Sequence, residues 1–220
     1  MEFLGRPPIY EGSKIADHFK FAKALRWLLI ATRDGRYSGS AITVLDQDTK
    51  QIKAKGSFDE AVNELTSRLT ASKDFVPEDF REEYTDRFLR LMLYLTAFNR
   101  KAKDWVCQDV RVGFDKERNQ FNEGFNPEWH HVFPRKIVKD SPDVDSIANI
   151  VVLNEKANRS FSAKEPLQYL QEHNVSRERL DEQAIPPDQF LELPKFDEFL
   201  KLRSTEIVAR ATAYLQELGK

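Results

Sequence analysis

Cysteine is almost absent. Cys107 is the single one among 220 residues. That excludes an intrachain disulfide and any zinc site built on several thiolates. Also missing is an apolar run of about 18 residues, so no transmembrane helix is expected. The opening MEFLGRPPIY has no signal-peptide h-region, and a cytoplasmic location is the expectation. There is no GxxxxGK[ST] phosphate loop. Positive charge is not in excess: the net charge is −2. This argues against a protein that coats nucleic acid by bulk electrostatics. It leaves room for a local basic groove, since six Lys/Arg (Arg135, Lys136, Lys139, Lys156, Arg159, Lys164) face four acids (Asp140, Asp143, Asp145, Glu155) between His130 and Lys164. Histidine is scarce too, with four in the chain, yet two stand side by side in EWHHVFP, Glu128–Pro134.

What is present is the composition of a soluble protein, 40% hydrophobic and 32% charged, long enough for a real core. Apolar spacing predicts a helix from Ser13 to Arg33, ended by Gly35. RYSGS (Arg36–Ser40) reads as a turn between helices, with Ser40 placed to cap a helix over Ala41 to about Lys53. Gly56 breaks the chain, and SFDE (Ser57–Glu60) is a capping-box pattern opening a helix to about Leu69. A long helix is predicted from Pro77 or Asp79 to about Arg100, with Phe80, Tyr84, Phe88, Leu91, Leu95 and Phe98 as its buried stripe. Asp104–Phe114 is β-prone and leads into a Gly/Asn-rich loop, Asn119–Asn126. EWHHVFP and NIVVLN (Asn149–Asn154) read as two strands separated by the polar loop KDSPDVDS. Asn154 is placed to cap a helix containing Glu155 to about Arg159. Later helices are predicted at Pro166–His173, Ser176–Gln183 and about Lys195–Leu218. The expected architecture is mainly α with a small β-hairpin: a helical region over 1–103, a ββα core over 104–175 and C-terminal helices over 176–220.

If the strands pair and the short helix packs across them, His130, His131, Asn149 and Asn158 meet near one point, with Glu128 beside His130. Two imidazoles and a carboxamide oxygen suit one divalent cation plus one free base. Phosphodiester hydrolysis needs these parts: a group to take a proton from water, a Lewis acid on the phosphate, and cations on the flanking phosphates. Strand alternation puts Trp129 opposite His130, and His131 opposite it as well unless the strand ends or twists there, as Pro134 allows. His18 reads as structural, His173 as a group near a helix C-terminus, and Cys107 as a buried thiol.

EWHHVFP followed by SIANIVVLNEKANRSFSAK (Ser146–Lys164) resembles the HNH, or ββα-metal, endonucleases. Asn149 and Asn158 are nine apart, as the two later positions of that pattern are, and KANRS looks like the HNH domains of CRISPR effector nucleases. Together with WLLIATRDGRYSGSAITVLDQD (Trp27–Asp48), the site is similar to the C-terminal nuclease half of GmrSD-type restriction proteins, and the resemblance runs roughly from Ala24 to Tyr169. It implies His131 as general base, Asn149 as the residue that orients it, and His130 and Asn158 as metal ligands, with Glu128 ligating directly or through water. Arg135, Lys136, Arg159 and Lys164 are the expected DNA contacts. Two departures matter. Many members have Asp in place of His130, and Ser162 stands where zinc- or nickel-binding members have a further His. The donor set therefore leans to oxygen, which favours Mg²⁺ or Mn²⁺ over Zn²⁺. The resemblance further implies a nucleotide-hydrolysing partner domain or subunit and action on invading, sometimes modified, phage DNA. The competing expectation is a non-catalytic nucleic-acid-binding or scaffolding module of such a system.

Overall fold

The computed structural model describes residues 15–69, 74–107, 110–112, 127–161 and 163–220. The Asn119–Asn126 loop, Ser162 and the side chain of His18 lie outside that description. Within it the protein is mainly helical with one two-stranded antiparallel sheet. No helix among the described residues is long and apolar enough to cross a membrane. The chain forms two compact units, Met1–Phe75 with Thr212–Lys220, and Val76–Ala211.

The first unit holds α1 (Ile15–Arg33), α2 (Ala41–Lys53) and α3 (Phe58–Ser67). Gly35 ends α1 at a φ of 63°, a left-handed conformation that glycine adopts without steric cost. The amide of Gly35 returns to the Thr32 carbonyl and that of Arg36 to Ala31, so two end-of-helix acceptors are satisfied. Ser40 makes no side-chain cap. Ser57 does, accepting from the Glu60 amide at 3.2 Å. RYSGS folds back on α2: Arg36 donates twice to Asp48, at 2.8 and 2.5 Å, and the Tyr37 hydroxyl donates to it at 2.8 Å. Asp48 is only 2% exposed. The Arg36 bonds, with help from Tyr37 and against burial, hold its carboxyl below the usual carboxylate value. Since the folded pKa is depressed, this contribution to stability is complete above the unfolded value of about 4 and is lost as pH falls through the folded pKa. Asp48→Ala, which strands a largely buried guanidinium, is expected to cost about 3 kcal/mol. Asp48→Asn is expected to flatten the acid limb of the melting-temperature profile below about pH 4, relative to wild type. Parallel limbs in the two proteins would refute the assignment.

In the second unit the predicted long helix is broken. Pro77–Arg81 is a 3-10 turn, and α4 runs Arg87–Asn99. The signal was Asp86, whose carboxylate caps α4 by accepting from the Leu89 amide at 2.8 Å. Restarting the helix there rotates its inner face: Leu89, Met92, Leu93, Thr96 and Ala97 are buried, while Leu91 is 41% exposed. Between the two pieces, residues 82–84 run beside 145–147. The Tyr84 amide donates to the Asp145 carbonyl at 2.7 Å and the Ile147 amide to the Glu82 carbonyl at 2.9 Å.

Strands β1 (Pro127–His131) and β2 (Ile150–Asn154) pair with His130 opposite Val151 and His131 opposite Ile150. Asn149, expected to open the second strand, lies instead in a 3-10 turn, Ile147–Asn149, just before it. The helix α5 (Glu155–Phe161) follows β2 directly, and its Lys156 amide donates to the Asn154 side chain at 2.9 Å. The chain continues through α6 (Pro166–Glu172), α7 (Arg177–Glu182) and α8 (Phe196–Leu218). The β-prone reading of Asp104–Phe114 fails over its described part. A single bridge, Lys103 to Arg111, replaces a strand. The cause is Asp104, whose short carboxylate takes the amides of Val106 (2.9 Å) and Cys107 (2.7 Å) and closes a turn.

The outer edge of β2 has no third strand among the described residues, yet its backbone groups are satisfied by side chains. Asp104 accepts from the Asn154 amide at 2.7 Å. Gln183 accepts from the Val152 amide at 3.2 Å and donates to the Val152 carbonyl at 2.9 Å. Arg203 of α8 donates to the Ala148 and Ile150 carbonyls, both at 2.6 Å. Fully buried and facing carbonyls, its guanidinium is pushed down to about 9 by burial, so it still carries its charge at neutral pH. These side chains seal an edge that would otherwise invite another strand. The core beneath the hairpin includes Phe133, Leu153, Phe161, Tyr169 and Phe199.

Candidate metal and base site

His130 and His131 are adjacent on β1 and meet different surroundings, as strand alternation requires. The His130 ring is 5% exposed. It sits among Trp105, Phe161 and Tyr169, with ring centroids 6.2, 5.1 and 5.6 Å away. Its Nε2 is buried without a hydrogen-bond partner. Its Nδ1 points at Asn158 Oδ1, 2.7 Å away. The Asn158 amide is oriented by Glu128, whose carboxylate accepts from Asn158 Nδ2. A carboxylate only accepts, so Nδ2 must face Glu128 and Oδ1 must face the imidazole. Burial pushes the His130 pKa down to about 4, and the neighbouring His131 adds to the depression. Trp129 lies with Tyr94, Ala97 and Val152, under the Arg90 guanidinium at 5.1 Å.

His131 faces the polar loop. Its Nε2 lies 2.8 Å from Asp145 Oδ1. Arg135 Nε donates to the same oxygen at 2.6 Å. Tyr84 stands edge-to-face against the His131 ring, centroids 5.4 Å apart, and its hydroxyl accepts from Arg135 at 3.4 Å. Burial lowers the His131 pKa and Asp145 opposes the shift. Burial also works against the Asp145 carboxylate, but the bonds from Arg135 and His131 outweigh it and hold its pKa below the usual value. His131 Nδ1 has no partner among the described residues.

Asn149 is fully buried and spends its amide on the backbone. Its Oδ1 accepts from the Phe133 amide at 2.9 Å, and its Nδ2 donates to the carbonyls of Phe133 (3.0 Å) and Val144 (2.9 Å). Its own carbonyl accepts from the Val132 amide at 2.8 Å. It thus ties the turn after His131 to the loop carrying Asp145. The side chain in contact with His131 Nε2 is Asp145, not Asn149. Of the four cations expected to meet DNA, Arg135 pairs with Asp145, Arg159 with Glu155 and Lys164 with Glu172, while Lys136 is exposed.

The structure therefore assembles Glu128, Asn158 and His130 into one chain of contacts. It adds Asp145, Tyr84 and the aromatic cage, which the sequence reading missed. Asp145 read as one acid among several in KDSPDVDS, and Tyr84 was assigned to a helix that breaks. Among the described residues no three His, Cys, Asp or Glu side chains converge. A metal here would rest on one imidazole, a carboxamide oxygen and the nearby carboxylate. In the contact seen, Asn158 Oδ1 accepts a hydrogen bond from His130 Nδ1 at 2.7 Å, so the His130 proton is on Nδ1. Ligation would need a bare Nδ1, with the proton on Nε2 inside the aromatic cage.

No protein-family model matches the chain, and neither curated proteins nor solved structures give a match.

Proposed function

We propose that the Val76–Ala211 unit contains, over 104–175, an HNH (ββα-metal) endonuclease core that hydrolyses DNA phosphodiester bonds with Mg²⁺ or Mn²⁺, the nuclease module of a restriction or anti-phage system. One observation carries the reading: the strand–strand–helix unit brings His130 Nδ1 and Asn158 Oδ1 into contact at 2.7 Å, next to an imidazole, His131, with one nitrogen held and the other without a partner among the described residues. A bound divalent cation supplies a Lewis acid that stabilises charge developing on the phosphate. His130 and Asn158 are the residues to hold it, and Glu128 fixes the Asn158 amide. His131 takes the proton from the attacking water. Asn149 acts on the base through the backbone, by fixing the turn that follows His131. The cytoplasm, DNA as substrate and a nucleotide-hydrolysing partner belong to the same proposal. A non-catalytic nucleic-acid-binding or scaffolding module is the weaker alternative, because His130, His131, Asn149 and Asn158 are all present.

Purified protein with Mg²⁺ or Mn²⁺ is expected to convert supercoiled plasmid to the open-circular form, and EDTA to stop it. No nicking of either unmodified or base-modified plasmid would overturn the proposal. In the same assay Asn158→Ala is expected to raise the Mn²⁺ concentration for half-maximal rate by about 10-fold or more, since losing a ligand costs at least what losing an outer-shell partner does. An unchanged midpoint would remove Asn158 from the ligand set.

A further inference from the structure

The base proposed above has two nitrogens, and the structure occupies one of them. Asp145 Oδ1 lies 2.8 Å from His131 Nε2. An ionised carboxylate is acceptor-only, so a neutral His131 in this contact must carry its proton on Nε2. Its lone pair then lies on Nδ1. Asp145 is itself held from three sides. Arg135 Nε donates to the same Oδ1 at 2.6 Å. The Asp145 carbonyl accepts from the Tyr84 amide at 2.7 Å. The Val144 carbonyl just before it accepts from Asn149 at 2.9 Å. Tyr84 then packs against both partners, edge-to-face on the His131 ring and 5.6 Å below the Arg135 guanidinium.

We propose that Asp145 is a positioning residue that locks His131 in the Nε2–H tautomer and leaves Nδ1 as the proton-accepting nitrogen, with Arg135 holding the carboxylate in place. The inference rests on the reading of His131 as the base. Arg135 thereby becomes part of the base assembly rather than a simple DNA clamp. A ring free to take either tautomer presents a lone pair at Nδ1 only part of the time and is free to rotate about its side-chain bonds. The contact removes both losses.

The test combines ¹⁵N NMR of the histidine side chains at pH 8, which distinguishes protonated from bare ring nitrogens, with plasmid nicking in Mg²⁺. The proteins are the full chain and its Asp145→Ala and Asp145→Asn variants. Wild type is expected to show His131 with protonated Nε2 and bare Nδ1. Asp145→Ala is expected to show mixed tautomers and to nick on the order of 10²-fold more slowly. Asp145→Asn can present its NH₂ to Nε2, which puts the lone pair there and the proton on Nδ1; it is expected to shift the tautomer and to slow nicking by up to about 10⁴-fold. A purely structural Asp145 would change melting temperature without changing the tautomer. An Asp145→Ala protein with the wild-type tautomer and rate overturns the proposal. A wild type that does not nick, while its tautomer still depends on Asp145, overturns the nuclease reading and supports the positioning contact.

Discussion

His131→Ala is expected to lower DNA nicking by about 10²- to 10⁴-fold, the span that a positioned general base contributes. The fold should survive. His131 lies at the end of β1, and the backbone bond from Val132 to the Asn149 carbonyl, 2.8 Å, does not depend on its side chain. Metal binding should survive as well, because His130 and Asn158 are untouched. The stabilisation produced by Mn²⁺ in a melting experiment should therefore match wild type, since a ligand that binds only the folded state raises its stability by mass action. His130→Ala should give the opposite split, losing the Mn²⁺-induced stabilisation along with the rate. Equal metal responses in both variants would mean that the two adjacent imidazoles do not divide the work in this way.

Arg203→Ala is expected to give the largest loss of stability in the second unit, about 3–5 kcal/mol. The side chain is fully buried and donates at 2.6 Å to the carbonyls of Ala148 and Ile150. Truncation leaves two buried carbonyls without these donors and opens a cavity where the stem lay. Those carbonyls flank Asn149, the residue that fixes the turn beyond His131, so nicking should fall with stability. Arg203→Met keeps the volume and removes the cost of burying a charge. It should therefore lose less than Arg203→Ala, and urea unfolding of the two variants measures the difference. Equal losses would mean that volume contributes nothing at this position and that the lost hydrogen bonds alone set the cost.

Local signals in the sequence read well where one residue type decides the outcome. Gly35 ends α1, Ser57 caps α3, and α2, α6, α7 and α8 fall within a residue or so of their predicted spans. The β1–β2–α5 arrangement was legible because His130, Asn149, Asn154 and Asn158 mark it at fixed intervals. What could not be read were partnerships across distance. Arg203 is one cation on an amphipathic helix until its carbonyl partners, 53 and 55 residues away, are known. Asp145 is an ordinary loop acid until the hairpin brings His131 to it. Asp86 was readable as a cap, but the apolar residues around it fit an unbroken helix well enough to hide the break. That break frees Tyr84 to reach His131.

The most direct measurement of the central claim is plasmid nicking by His131→Gly protein in Mn²⁺, with and without added imidazole. The account predicts almost no nicking by the variant alone, partial recovery when free imidazole supplies the missing base, and abolition of that recovery by EDTA. Wild-type nicking by His131→Gly without imidazole would contradict it.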